Sequence, residues 1–211
     1  MKKGVFVSGI GTEIGKTLVS AILTRALDAD YWKPVQSGDL HHTDSMKVRH
    51  LSQGAESRFH PEAFRLNTPA SPHYSAAIDQ VQIELKDFSL PETENFLIVE
   101  GAGGLMVPLN EEHTILDLIQ YLEIPVVLVS QHYLGSINHT LLSLNCLKER
   151  GIPLAGLIFN GPSTPSTSSI IEQMSGQEAL FHLPELEEVN PEQVQHWATQ
   201  IAPILRDRWL A

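Results

Sequence analysis

Residues 4–27 read GVFVSGIGTEIGKTLVSAILTRAL, and no other stretch narrows the possible folds so far. A short apolar run, GVFVSG, ends in a loop holding Gly9, Gly11 and Gly15. Lys16 and Thr17 then open a segment in which Val19, Ile22, Leu23 and Ala26 recur at the spacing of one helix face. Strand, glycine loop and helix in that order aim loop amides and a helix N-terminus at an anion. A lysine there spans the terminal phosphates of a nucleotide, and a hydroxyl after it ligates magnesium. The common G-x-x-x-x-G-K-T spacing would put its first glycine at position 10, which is Ile10; Gly9 and Gly11 flank it instead.

The alternation continues downstream. DYWKPV reads as a second strand, NFLIVEGAGG as a strand bounded by glycines, and IPVVLVSQ, PLAGLIFNG and part of QEALFHLPEL as further strands. TILDLIQYL and INHTLLSLNCLKER read as helices, the second closed by Gly151. Asn190, Pro191 and Gln193 have helix-start chemistry, and Pro203 is expected to kink or end that last helix. Residues 39–80 show no clear period and read as loops with short helices; GPSTPSTSS, 161–169, reads as a polar surface loop. Apolar strands interleaved with helices predict a mainly parallel sheet covered on both faces, a three-layer α/β/α architecture in one domain spanning 1–211.

A net charge of −11 argues against nucleic acid or an anionic membrane as the main partner, without excluding a local basic pocket. The apolar run after Met1, Lys2 and Lys3 is too short for a signal-peptide core, and no run approaches the roughly 20 residues of a membrane span, so a cytoplasmic protein is expected. Cys146 has no second cysteine to pair with and sits in an amphipathic helical pattern, as a structural thiol does.

Lys33, in YWKPVQSG, raises a separate question, because one lysine already serves the phosphate. A second at the end of the next strand implies a second anion beside the first. Glu100 follows FLIV, which puts a carboxylate at the carboxyl end of a buried strand, where parallel sheets bind ligands. A buried glutamate needs a partner, and magnesium is a natural one. Asn160 ends another strand, where its amide can pair with an adenine edge. Gly135-Ser136-Ile137-Asn138 opens a helix whose free amides suit a carboxylate. His41 and His42 lack an apparent third ligand and read as surface residues.

Several segments, in order along nearly the whole chain, resemble the dethiobiotin synthetases. They are TEIGKT at 12–17, WKPVQSG at 32–38, SPH at 71–73, VEGAGG at 99–104 and LGSINH at 134–139. The resemblance implies a P-loop NTPase-type fold and an ATP- and magnesium-dependent ligase of biotin biosynthesis. Its substrates would be 7,8-diaminononanoate and CO2, joined through a carbamate and a carbamic-phosphoric anhydride. It further implies that Thr12, Glu13, Ile14, Gly15, Lys16, Thr17 and Leu18 hold the phosphates, with Gly101, Ala102 and Gly103 nearby. Asn160, Leu183, Pro184 and Glu185 would form the adenine pocket. Thr17, Glu100 and Asp44 would bind magnesium, Asp39 being the rival to Asp44. Lys16 and Lys33 would be catalytic, and Lys33, Thr12 and Ser37 would face the carbamate. Gly135, Ser136, Ile137 and Asn138 would grip the substrate's carboxylate from a second subunit, making the enzyme a homodimer.

Other readings of the loop are a partitioning-type switch ATPase, a cobyrinate amidase relative or a small-molecule kinase. The first usually begins its loop with a lysine, where this chain has Ser8 and Gly9; the second needs a nucleophilic cysteine that Cys146 does not resemble.

Overall fold

The computed structural model describes residues 3–210; Met1 and Lys2, which head the N-terminal run read above, and Ala211 lie outside the described residues. The elements follow as β1 (Gly4–Gly9), α1 (Lys16–Leu27), β2 (Asp30–Trp32), β3 (Val35–Ser37), α2 (Asp44–Ser52), β4 (Phe59–His60), β5 (Phe64–Leu66) and α3 (Pro72–Asp79). Then come β6 (Leu97–Gly104), α4 (Ile115–Leu122), β7 (Val126–Gln131), α5 (Ser136–Glu149), β8 (Leu154–Asn160), α6 (Pro165–Ser175), β9 (Ala179–Leu183) and α7 (Pro191–Trp209). Seven strands form one sheet in the order β4-β2-β6-β1-β7-β8-β9, and every neighbouring pair is parallel.

Successive side chains on a strand point to opposite faces, and both faces here meet helices. Phe6, Leu97, Val99, Val126, Leu128, Leu157 and Phe159 pack with Leu118, Ile119, Leu147 and Ile171 from α4, α5 and α6. Val5, Val7, Ile98, Val127, Val129 and Ile158 pack on the other side with Val19, Ile22, Val48, Val194 and Ile201 from α1, α2 and α7. The continuous apolar runs of the sequence are therefore strands shared between two cores, as expected. Because all seven run the same way, the exits of β1, β2, β6 and β8 share one edge, the edge where open parallel sheets bind ligands.

Four local expectations need correction. DYWKPV is not one strand: β2 stops at Trp32, and the chain leaves the sheet at Lys33-Pro34. Val35–Ser37 then joins Phe64–Leu66 in a separate two-stranded parallel sheet, anchored where Phe64 donates its N–H to the Pro34 carbonyl. Residues 39–80 hold two short strands besides the expected helices. Only the start of 161–169 is loop, since α6 begins at Pro165, a favourable first-turn residue. Finally, α7 runs through Pro203 to Trp209. Pro203 lies on the solvent face, whereas Ile201 and Leu205 on either side of it are buried, so packing holds the helix across the missing hydrogen bond. Gly151 ends α5 as expected: it is left-handed, its N–H reaches Lys148, and the Ile152 N–H reaches Leu147.

Candidate active site

The loop from Gly9 to Gly15 is shaped by close approach. A methyl group at Gly9 would lie 2.2 Å from Ile14 Cδ1, because the Ile14 side chain turns down into the core. Glu13 and Gly15 take left-handed backbone angles, φ 59° and 89°. Gly15 precedes α1 and supplies no side-chain cap, so the first-turn amides of α1 keep donors available beside the cleft. Asn160, at the exit of β8, donates its side-chain amide to the Ile14 carbonyl at 2.9 Å and ties the loop to the sheet. Lys16 folds along the loop and donates to the Gly11 carbonyl at 2.8 Å.

Beside the loop lies a cleft of about 770 Å³. Lys16 and Lys33 both line it, together with Thr12, Thr17, Ser37, Asp44 and Glu100. Its floor is a charge cluster. The Lys33 ammonium sits 2.8 Å from Asp44 Oδ2 and 3.4 Å from Glu100 Oε1. Thr17 donates to the same Glu100 oxygen at 2.9 Å, Tyr31 donates to Glu100 Oε2 at 2.9 Å, and Lys47 reaches Asp44 Oδ1 at 3.3 Å. Lys33 and Glu100 are buried.

Burial pulls the Lys33 pKa down, but Glu100 and Asp44 outweigh it and hold the ammonium above its ordinary pKa. Burial would likewise raise Asp44, yet the ammoniums of Lys33 and then Lys47 keep its carboxyl below the usual range. Lys16 falls the other way. Burial pulls it down to about 8, partly offset by Glu100 and reinforced by the like charge of Lys33. Tyr31, wholly buried and beside Glu100, is pushed well above the ordinary phenol.

The structure thus gathers Thr12, Glu13, Gly15, Lys16, Thr17, Lys33, Ser37, Asp44, Glu100, Gly101, Ala102 and Gly103 around one cleft. Of the two rival aspartates, Asp44 engages Lys33, while Asp39 is exposed at the rim. The Ser37 hydroxyl is buried with no hydrogen-bond partner among the described residues. Other expected residues lie outside the cleft lining. Ile14 and Leu183 bury their side chains in the core, so only their backbone can meet a ligand, and Leu18 packs partly against the same core. Pro184 and Glu185 are exposed beyond β9. Gly135, Ile137 and Asn138 are exposed, and Ser136 is buried. His41 and His42 are exposed.

Sequence reasoning missed three contributors. Tyr31 holds Glu100; the signal was a phenol in a buried strand, which needs a partner for its hydroxyl. Gln36 accepts from the Asp44 N–H at 3.1 Å. Thr43 caps α2 by accepting from the Met46 N–H at 3.2 Å, a threonine start signal that places Asp44 in the first turn.

A family model described as an AAA domain matches residues 3–193. An "ATP-dependent dethiobiotin synthetase BioD" from Christiangramia forsetii is 54% identical over 82% of this chain and 84% of that protein. A protein of the same name from Cytophaga hutchinsonii is 47% identical over 99% of both. Among solved structures, the Pyrococcus furiosus cell division ATPase MinD aligns over 100% of both chains with a TM-score of 0.60 and 16% identity. A putative plasmid partition protein from Borrelia burgdorferi aligns over 100% of this chain and 99% of its own, with a TM-score of 0.58 and 12% identity. At such identities the solved structures speak for the fold, which they share with this chain. The sequence relatives reach further: over nearly its whole length, this chain belongs to the ATP-dependent dethiobiotin synthetase family.

Proposed function

We propose that this chain, as one ligase domain, closes the cyclic urea of dethiobiotin on 7,8-diaminononanoate with CO2 and ATP, in biotin biosynthesis. The observation that supports it best is the pair of lysines on one cleft. Lys16 comes from the nucleotide loop, and Lys33 is a buried ammonium gripped by two carboxylates. One amine of the substrate adds to CO2, losing a proton, and gives a carbamate. A carbamate oxygen attacks the γ-phosphorus and ADP leaves. The second amine then attacks the carbonyl carbon of the mixed anhydride, and phosphate departs as the ring closes. Carbamate and triphosphate repel one another, so fixed cations between them lower the barrier. Lys33 serves the carbamate side and Lys16 the phosphate side. The orphan hydroxyl of Ser37 gains a partner in the carbamate, and Thr12 stands at the mouth.

Magnesium fits the donor set. Thr17 Oγ1 and Glu100 Oε1 lie 2.9 Å apart, with the Asp44 carboxylate across Lys33, and these are the oxygen ligands a hard cation takes. When bound, it would neutralise charge on the phosphates. Asn160 and the backbone around Leu183, Pro184 and Glu185 form the adenine side, with Asn160 also bracing the loop. The chain works as a homodimer in the cytoplasm, Gly135–Asn138 reaching the partner's substrate. Support for pairing is that this segment faces out beside the exposed Leu134 and Ile137. No helix among the described residues is long and apolar enough to cross a membrane.

Incubation with ATP, magnesium, the diamine and radiolabelled bicarbonate should give acid-stable label in a urea product, with stoichiometric ADP. Hydrolysis of ATP that ignores the diamine, with no label fixed, would point instead to a switch ATPase.

A further inference from the structure

Glu100 has two oxygens and three protein donors, and they are divided unequally. Thr17 and Lys33, both on the cleft, meet Oε1; among the described residues only Tyr31 meets Oε2. Tyr31 is rigidly placed for this. Its strand pairs with β6 so that Tyr31 lies beside Ile98 and Trp32 beside Val99. Its ring is wholly buried among the α1 and α2 side chains and packs at 5.7 Å against Phe59. The phenol therefore approaches Glu100 from the core and is not part of the cleft lining, which Thr17 and Lys33 are.

We propose that Tyr31 is a positioning residue for the metal. By donating to Oε2 it stops rotation of the carboxylate and presents Oε1, beside Thr17, to magnesium. This rests on the reading of Glu100 as a magnesium ligand given above. A hydrogen bond behind a ligand orients it and sharpens metal affinity, and without Tyr31 the buried Oε2 has no donor and the carboxylate turns to share Lys33.

Tyr31→Phe keeps the ring and removes one hydroxyl. Binding of a fluorescent ATP analogue, titrated with magnesium, should need about tenfold more metal for half-saturation, while binding in EDTA is unchanged. Equal magnesium half-saturation in Tyr31→Phe and wild type, with Glu100→Gln clearly weakened, overturns the role of Tyr31 alone. An unchanged magnesium response in Glu100→Gln overturns the parent reading of Glu100. The effect of losing the hydroxyl should vanish in a Glu100→Gln background. Should Tyr31→Phe alone fail to fold, that double variant is compared with Glu100→Gln: equal magnesium responses support the proposal, and a further weakening contradicts it.

Discussion

Lys33→Ala should lower kcat by about 10²- to 10³-fold, the scale on which removal of one fixed charge-stabilising donor acts in a water-poor site. The KM for ATP should stay close to wild type, because in the proposed mechanism Lys33 meets the carbamate while Lys16 keeps its place on the nucleotide loop. A cost in stability accompanies the kinetic loss. Glu100 and Asp44 share this ammonium, and removal of the cation from a buried cluster strands like charges at a cost of roughly 3 kcal/mol. The sign of the pH dependence separates the two effects. In the wild type, Asp44 titrates below its ordinary range, so its contribution is present above the unfolded pKa and is lost as pH falls through the lower folded one. In the variant the cation that holds it down is gone, so the stability deficit should narrow as the pH drops through the carboxylate range, whereas turnover should not recover. Steady-state kinetics down to about pH 4 and thermal melts carried down to about pH 2, through the lowered Asp44 titration, read both. Wild-type turnover in a folded variant would remove Lys33 from the chemistry.

Gly15→Ala should damage the nucleotide side as heavily. At φ 89° an alanine is strained by about 1–3 kcal/mol. Its Cβ would lie 2.1 Å from Asn160 Nδ2, so Asn160 must swing away and release the Ile14 carbonyl, a further loss of about 1 kcal/mol. Together these come to about 2–4 kcal/mol, which corresponds to an ATP affinity lower by about 30- to 700-fold where binding must restore the native loop, or to a melting temperature lower by on the order of 5–15 °C. Calorimetric titration with ATP and a melting curve measure them. In an Asn160→Ala background the clash is gone and only backbone strain is left, so Gly15→Ala should cost less there. Equal costs in both backgrounds would show that Asn160 does not brace the loop.

What the sequence made legible and what it hid divide along a physical line. Gly9 to Thr17 and Glu100 are readable because their places follow from position along a strand and its exit, and strand identity shows in apolar runs such as FLIV. Lys33 was readable as strand-terminal, although the strand ends there for a reason the pattern blurred: Pro34 diverts the chain into the small β3-β5 sheet. Strands of two or three residues, such as Phe59–His60, carry no period to detect. That Asp44 rather than Asp39 engages Lys33 follows from Thr43 starting a helix and Gln36 holding the Asp44 N–H, contacts that depend on tertiary placement. Tyr31 is one letter of the DYWKPV run, and its hydroxyl acquires meaning only once β2 lies against β6. Pro203 does not end the helix, one of the two outcomes its backbone chemistry allows, because buried neighbours on both sides carry it on.

The most direct test follows one oxygen atom. If an anion held by Lys33 attacks the γ-phosphorus of a nucleotide held by Lys16, then CO2 labelled with oxygen-18, in a single turnover faster than exchange with water, must pass one labelled oxygen to inorganic phosphate for each ring closed. Mass spectrometry of the released phosphate should show that single heavy atom, with the other labelled oxygen in the urea carbonyl. Phosphate free of label, alongside a labelled product, would mean that the carboxylated amine never met the phosphorus.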